Sequence, residues 1–182
     1  ARSVVARQRF GRLFSLGDRN SPSSWTPAII LGEQDEELPF SIAPFEYSRD
    51  SSKLPAKISV KTRTNLTLPF DKLDIWHASE GLVLPPSLIE SNSGEFGFGK
   101  EVLPISWQSL HHDLRLNDDD LVPSIIILTD APQLANQKGL LSEALYTIRT
   151  RFPSSLIWTP GIGGPDNCAI LTWMGVDIFD LA

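Results

Sequence analysis

From Pro123 onward two kinds of apolar pattern take turns along the chain. "SIIIL" (124–128) is an unbroken apolar run of the length expected for a strand covered on both faces. "GLLSEALYTIRTRF" (139–152) instead spaces Leu141, Leu145 and Ile148 at helical intervals. "SLIW" (155–158) repeats the strand signal, "GPDNCAILTWM" (164–174) reads as a helix opened near Pro165 or Asp166, and "VDIFD" (176–180) closes as a third strand. Strand, helix, strand, helix, strand implies an α/β fold whose parallel sheet has right-handed crossovers, as in a TIM-type barrel or a doubly wound sheet. In such sheets reactive groups collect where the strands end. Asp130 after "IIILT", residues 159–164 after "LIW", and Asp180 at the end of "VDIFD" are therefore expected on one rim.

The first 122 residues are less regular. "RLFSL" (12–16) and "WTPAIIL" (25–31) read as two strands joined by a turn of Gly, Asp, Asn, Ser and Pro, preceded by an arginine-rich lead. "GEQDEELPF" (32–40) reads as a solvated acidic segment. Ile58 and Val60 alternate with Ser59 and Lys61 as in a half-exposed strand. "GLVL" (81–84) reads as a strand stopped by Pro85 and Pro86, with a short helix opening at Pro86. "SGEFGFGK" (93–100) reads as a loop, "VLPISW" (102–107) as a strand, and "HHDLRLNDDDLVP" (111–123) as an acidic turn.

At 182 residues, with 41% hydrophobic and 21% charged positions, the chain fits one domain with a core. The longest apolar runs fall far short of the roughly 20 residues needed to cross a bilayer, so no membrane is expected as a partner. The N-terminus has no signal-peptide core and no initiator Met, so it reads as a processed chain or an excised piece. A lone Cys168 forms no internal disulfide and favours a reducing, cytoplasmic setting. One Cys and three His offer no metal site, and neither metal nor cofactor is expected. The net charge of -6 opposes general binding to phosphate backbones, so any nucleic-acid contact has to be local.

At "LIWTPGIGGPDNCAILTWMGVDIFD" (156–180) the chain resembles the tRNA-guanine transglycosylase superfamily, whose late barrel strands follow the order strand, Gly/Pro loop, apolar-faced helix, then Gly-[VI]-Asp-hydrophobic-Phe-Asp. Here that last motif is Gly175, Val176, Asp177, Ile178, Phe179 and Asp180. "RLFSL" followed by "WTPAIIL" is similar to the family's opening hairpin and Thr-Pro-Ala strand, so the resemblance covers about residues 9–31 and 120–182. The family's Leu-Thr-Asp-Ser-Gly-Gly-Phe-Gln segment, which holds a second essential aspartate, is missing. "LTDAPQL" (128–134) lies too close to Asp180 to replace it, and takes the place of the later glycine-rich strand end that recognises the base. The compact form is most similar to the degenerate N-terminal transglycosylase-like domain of archaeosine synthases. The resemblance implies a TIM-type (β/α) barrel, trimmed or incomplete at this length, with an N-terminal β-hairpin. It also implies tRNA and a 7-deazaguanine-type base as partners, with further domains or subunits completing the protein.

By that resemblance Asp180 is the nucleophile that attacks the ribose anomeric carbon, a task suited to a carboxylate ionised at neutral pH. Gly161, Gly163, Gly164 and Asp130 are the candidate substrate-binding residues. The residues themselves leave other readings open: Asp180 as a turn cap, the glycines as a tight turn, Asp177 as a structural hydrogen-bonding group, and Cys168 as a small core residue. Adjacent His111 and His112 diverge and make a poor metal pair. Arg2, Arg7, Arg9 and Arg12, with Arg49, Lys53, Lys57, Lys61 and Arg63, are a candidate RNA path or simply a solvated charge run. Three functions follow. The chain is a transglycosylase-like tRNA-modification domain, a scaffold that has lost the chemistry, or an unrelated domain that binds a small anion at the glycine loop.

Overall fold

The structure, a computed structural model, describes residues 2–17, 20–50, 56–63, 76–78 and 102–181. The strand expected at 81–84, the helix at Pro86 and the loop at 93–100 lie outside them, as does Lys53. Strands β1 (Arg2–Gln8), β2 (Gly11–Gly17) and β3 (Pro22–Thr26) form an antiparallel sheet in that order. The pattern alone reads residues 1–8 as a lead. Residues 2–8 are a strand because backbone pairing from Arg2↔Leu16 to Gln8↔Gly11 holds them, while residues 5–8 stay exposed and so carry no apolar alternation. Pro27 has no N–H to continue a ladder, so the single run expected at 25–31 divides. Thr26 ends β3, a cis peptide joins it to Pro27, and β4 (Ala28–Leu31) enters a different sheet.

That second sheet adds β5 (Phe45–Asp50), β6 (Ala56–Thr62), β7 (Trp76–Ala78), β8 (Val102–Ile105), β9 (Ile125–Leu128), β10 (Leu156–Trp158) and β11 (Ile178–Asp180). Its order is β7-β6-β5-β4-β11-β10-β9-β8. The strands from β5 to β8 along this order are mutually parallel, and β6 and β7 continue it antiparallel. Helices α1 (Trp107–His112), α2 (Ala131–Ala135), α3 (Leu140–Arg151) and α4 (Cys168–Met174) lie in the connections. The α/β expectation holds, with the expected strand–helix order from 124 to 180. Two boundaries move. α4 starts at Cys168, not at Pro165 or Asp166, after a run of turns. α1 occupies part of what the pattern gives to a strand and an acidic turn.

α1 forms where it does because Ser106 and Ser109 close a reciprocal cap. The Ser109 N–H donates to Ser106 Oγ at 3.0 Å, and the Ser106 N–H donates to Ser109 Oγ at 2.8 Å. α3 buries Leu141, Ala144, Leu145 and Ile148 as one stripe, so the helical spacing read from the sequence is its core face.

Alternation along the strands divides the core in two. Ile30, Phe45, Val60, Ile125, Ile127, Leu156, Trp158 and Ile178 pack with Phe14 and Leu16 of β2 on the concave face. Leu103, Ile105, Ile126, Leu128, Ile157 and Phe179 meet the helices on the other. The sheet is curled into a half-barrel. Tyr47 on β5 and Trp158 on β10 are three strand positions apart, about 14 Å in a flat sheet, yet their ring centroids are 5.3 Å apart. The edge strands β7 and β8 also come within 8 Å of each other at Cα.

At the end where the parallel strands begin, one ion pair fastens the hairpin sheet to the curled one. Arg12 on β2 donates from Nε to Asp177 Oδ1 at 3.1 Å and from its terminal nitrogen to Oδ2 at 2.9 Å, with both side chains 2% exposed or less. The same guanidinium reaches the carbonyls of Pro153 and Ser155, and the Ile157 N–H donates to Asp177 Oδ2 at 2.9 Å. Asp177 is therefore a structural hydrogen-bonding residue, and Arg12 is withdrawn from any surface path. Removing one partner leaves a buried charge unpaired. Arg12→Ala or Asp177→Asn is expected to cost about 3–5 kcal/mol in equilibrium denaturant unfolding, whereas the exposed neighbour Arg7→Ala shifts it by less than about 0.5 kcal/mol.

Candidate active site

Asp180 is the last residue of β11, paired with Ile30 of β4, and alternation turns its side chain to the concave face beside Trp158. The Gly161 N–H, donated from the loop after β10, reaches both carboxylate oxygens at 3.2 and 3.1 Å. Gly161 has φ 76, a backbone setting that glycine adopts without a Cβ penalty. Asp180 is only 8% exposed, and burial pushes its pKa up to about 6. The Gly161 bond opposes that rise and Asp35 adds to it. At neutral pH the group is still mainly ionised.

Two residues that pattern reading did not single out flank this carboxylate. Tyr47 faces it from β5, and its phenol is pushed up to about 12 by burial first and then by Asp180 and Asp35, so it is a neutral donor at any physiological pH. Asp35 accepts the Gly32 N–H at 2.5 Å in the loop after β4. A Cβ built on Gly32 would lie 2.9 Å from the Tyr47 hydroxyl and 3.2 Å from Asp35 Oδ2, which puts both groups beside that glycine. The buried Trp158 indole N–H meets no acceptor at hydrogen-bond geometry, although it is near enough to Asp180 to favour the ionised form. Thr159, next in the chain and fully buried, also has an unpaired hydroxyl. The site thus combines a dehydrated carboxylate, a neutral phenol and an unpaired indole donor. That chemistry suits nucleophilic attack by Asp180 and hydrogen bonding to a planar polar group.

The other expected residues are distributed differently. Asp130 stands at the same end of the sheet, two strands from Asp180, but its side chain turns to the helix layer and accepts the Trp107 N–H at 3.0 Å at the start of α1. Burial raises its pKa, and its second oxygen has no partner. Gly163, at φ 112, packs on Phe179 on the convex side, where an added Cβ would meet the ring at 2.4 Å. Gly164 meets nothing within 4 Å. Of the three glycines, Gly161 alone bonds to Asp180.

His111 and His112 are exposed at the end of α1, and His111 Nδ1 pairs with the Trp107 carbonyl at 2.7 Å. Cys168 is half-buried at the start of α4. Arg63 braces the segment before β5 through the carbonyls of Leu38 and Ala43. Among the described residues no three His, Cys, Asp or Glu side chains converge as a metal site, and no helix is long and apolar enough to cross a membrane. A hollow of about 370 Å³ lies at the opposite end of the sheet, lined by Leu116, Asp118, Arg151, Phe152 and Ser155, and does not include Asp180.

Asp35 and Tyr47 escape sequence reading because they are more than 130 positions from Asp180 and adjoin it only through the pairing of β4 with β11. In comparison with known proteins, the chain matches no family model, no curated protein and no solved structure.

Because folding raises the Asp180 pKa from 3.8 to about 6, the folded chain holds more protons than the unfolded chain across that window. This group therefore removes stability as pH climbs from 4 to 6. Asp180→Asn keeps an acceptor for Gly161 and sheds the penalty. It is expected to be more stable than wild type by about 2–3 kcal/mol at pH 7.5 and by almost nothing at pH 4, in paired denaturant titrations. Gly163→Ala, strained in both backbone and packing, is expected to lose at least about 2 kcal/mol in the same assay, while Gly164→Ala stays within about 1 kcal/mol.

Proposed function

We propose that this chain is a tRNA-guanine transglycosylase-like domain of a 7-deazaguanine tRNA-modification pathway, built on an incomplete TIM-type barrel, with Asp180 as its nucleophile. One observation carries the reading: a dehydrated carboxylate at the C-terminal end of a parallel strand, held by the Gly161 N–H and turned to the concave face beside Trp158 and Tyr47. In this reaction Asp180 bonds to the ribose anomeric carbon, and the glycosidic C–N bond breaks with its electron pair going to the departing guanine, which takes up a proton. The incoming 7-deazaguanine-type base then attacks the same carbon, gives up its ring N–H proton and releases the carboxylate. Trp158 N–H and the Tyr47 phenol are the donors placed to meet the base, and further domains or subunits hold the rest of the tRNA.

A second reading is favoured by the same two hydrogen bonds, which also clasp the loop after β10 to β11. On that reading Asp180 is a fastener and the chain a non-catalytic scaffold. Exchange of labelled guanine or 7-cyano-7-deazaguanine into bulk tRNA separates them. Incorporation by the wild type and none by Asp180→Asn, with the variant folded, is the expected result. A wild type that incorporates neither base sinks the catalytic reading and leaves the scaffold.

A further inference from the structure

At the end of the molecule away from Asp180, the hairpin tip between β1 and β2 lies against the last turns of α3 and α4. Three aromatic rings stay in solvent there: Phe10 at 40%, Tyr146 at 56% and Trp173 at 43% accessibility, with Ile170 beside them on α4. Phe10 meets Tyr146 edge-on at 5.7 Å, and the Arg9 guanidinium stands 5.0 Å over the Trp173 ring. The junction between hairpin and helices has no slack. A Cβ on Gly11 would meet the Thr172 carbonyl at 3.0 Å, and one on Gly175 would meet Arg149 at 3.0 Å and Phe10 at 3.5 Å.

The tip itself is strained. Between the paired residues Gln8 and Gly11, Arg9 occupies the first loop position with φ 53, the one positive φ on a non-glycine residue among those described. Glycine is favoured at such a position, and a side chain there costs of order 1 kcal/mol. Arginine persists where glycine fits better, with its cation displayed on the surface.

Charge at this end runs against the rest of a chain whose net charge is -6. Arg7 and Arg9 are exposed. Burial lowers the Arg149 pKa to about 10, with Asp177 opposing the fall and Arg12 and Arg7 adding to it. The Arg149 Nε–H is buried and has no partner. Asp177 is the carboxylate that faces this group, and it is already shared with Arg12. On α3 the one acidic residue is Glu143, a turn before Tyr146.

Exposed rings interleaved with under-neutralised arginines are the surface chemistry that a nucleic-acid strand uses, with phosphates on the guanidinium groups and unstacked bases on the rings. An acidic peptide, or the acidic segments 33–37 and 118–120 of a second copy, would satisfy the arginines but leave the rings bare. We infer that the Arg7–Arg9–Phe10–Tyr146–Trp173 surface is a docking site for a single-stranded stretch of nucleic acid, separate from the Asp180 site. The inference rests on the transglycosylase reading only for the choice of RNA over DNA. It does not depend on Asp180 reacting.

Fluorescence anisotropy with a labelled 12-nucleotide single-stranded RNA, its DNA counterpart and a heparin fragment tests this on the whole chain. Trp173→Ala is expected to weaken RNA binding roughly fivefold or more, because one base no longer has a ring to stack on. Arg7→Glu and Arg9→Glu are expected to flatten the dependence of log K on log salt by about 0.7 for each phosphate that is no longer neutralised. Base exchange is scored on the same Arg7 and Trp173 variants, so a dead transglycosylase and a missing docking site give different results. Arg7→Glu disturbs no core packing and keeps the test valid if Trp173→Ala unfolds. The proposal is overturned by no saturable binding at low salt, by wild-type affinity in the Arg7 and Trp173 variants, or by a heparin fragment that binds as tightly as RNA and responds to Arg7→Glu but not to Trp173→Ala.

Discussion

A single carboxylate, Asp177, organises the end of the molecule from which the parallel strands rise. It takes two hydrogen bonds from Arg12 and one from the Ile157 N–H, and Arg149 stands 3.7 Å away. Three pieces of chain distant in sequence, the hairpin, β10 and β11, therefore share one buried anion. Such a pair contributes little net stability over a well-packed apolar substitute. It contributes register: the polar partners are satisfied in one arrangement, and a slip of β10 or β11 by one residue would strand a charge in the core.

That register sets what happens at the opposite end. With Asp177 fixed, alternation sends Ile178 to the concave core, Phe179 under the helices and Asp180 back to the concave mouth. The curl of the sheet then brings β5 and β10 toward each other across that face, where Trp158 and Asp180 are buried and Tyr47 is half-buried against them. Dehydration raises the carboxylate's proton affinity, and the Gly161 N–H limits the rise. The balance leaves an anion less solvated than an ordinary surface aspartate.

Much of this was legible in the residues. "SIIIL", "SLIW" and "VDIFD" show as strands because both faces are covered and nearly every position is apolar, and the stripe on α3 shows because one face of a helix repeats. The position of Asp180 at the C-terminal end of a parallel strand follows from strand polarity alone. β1 was illegible because its pairing is made by backbone groups while its side chains from residue 5 onward face water. α1 was hidden because its reciprocal cap uses Ser109 where Glu or Gln is the usual signal. Arg12 resembles every other arginine of the N-terminal run until its partner is known. Asp35 and Tyr47 join the site only through the pairing of the first parallel strand with the last, a meeting across most of the chain that no local pattern encodes.

The two aspartates of "VDIFD" bracket β11, Asp177 just before its first residue and Asp180 as its last, about 10 Å apart. One is clamped to the hairpin and the other faces the mouth, with almost no backbone between them to absorb a displacement. β11 thus behaves as a short strut. A pull on the hairpin from outside would arrive at Asp180 as a shift of its carboxylate relative to Gly161, which makes the N-terminal hairpin a handle on the concave site as well as a cover for the core.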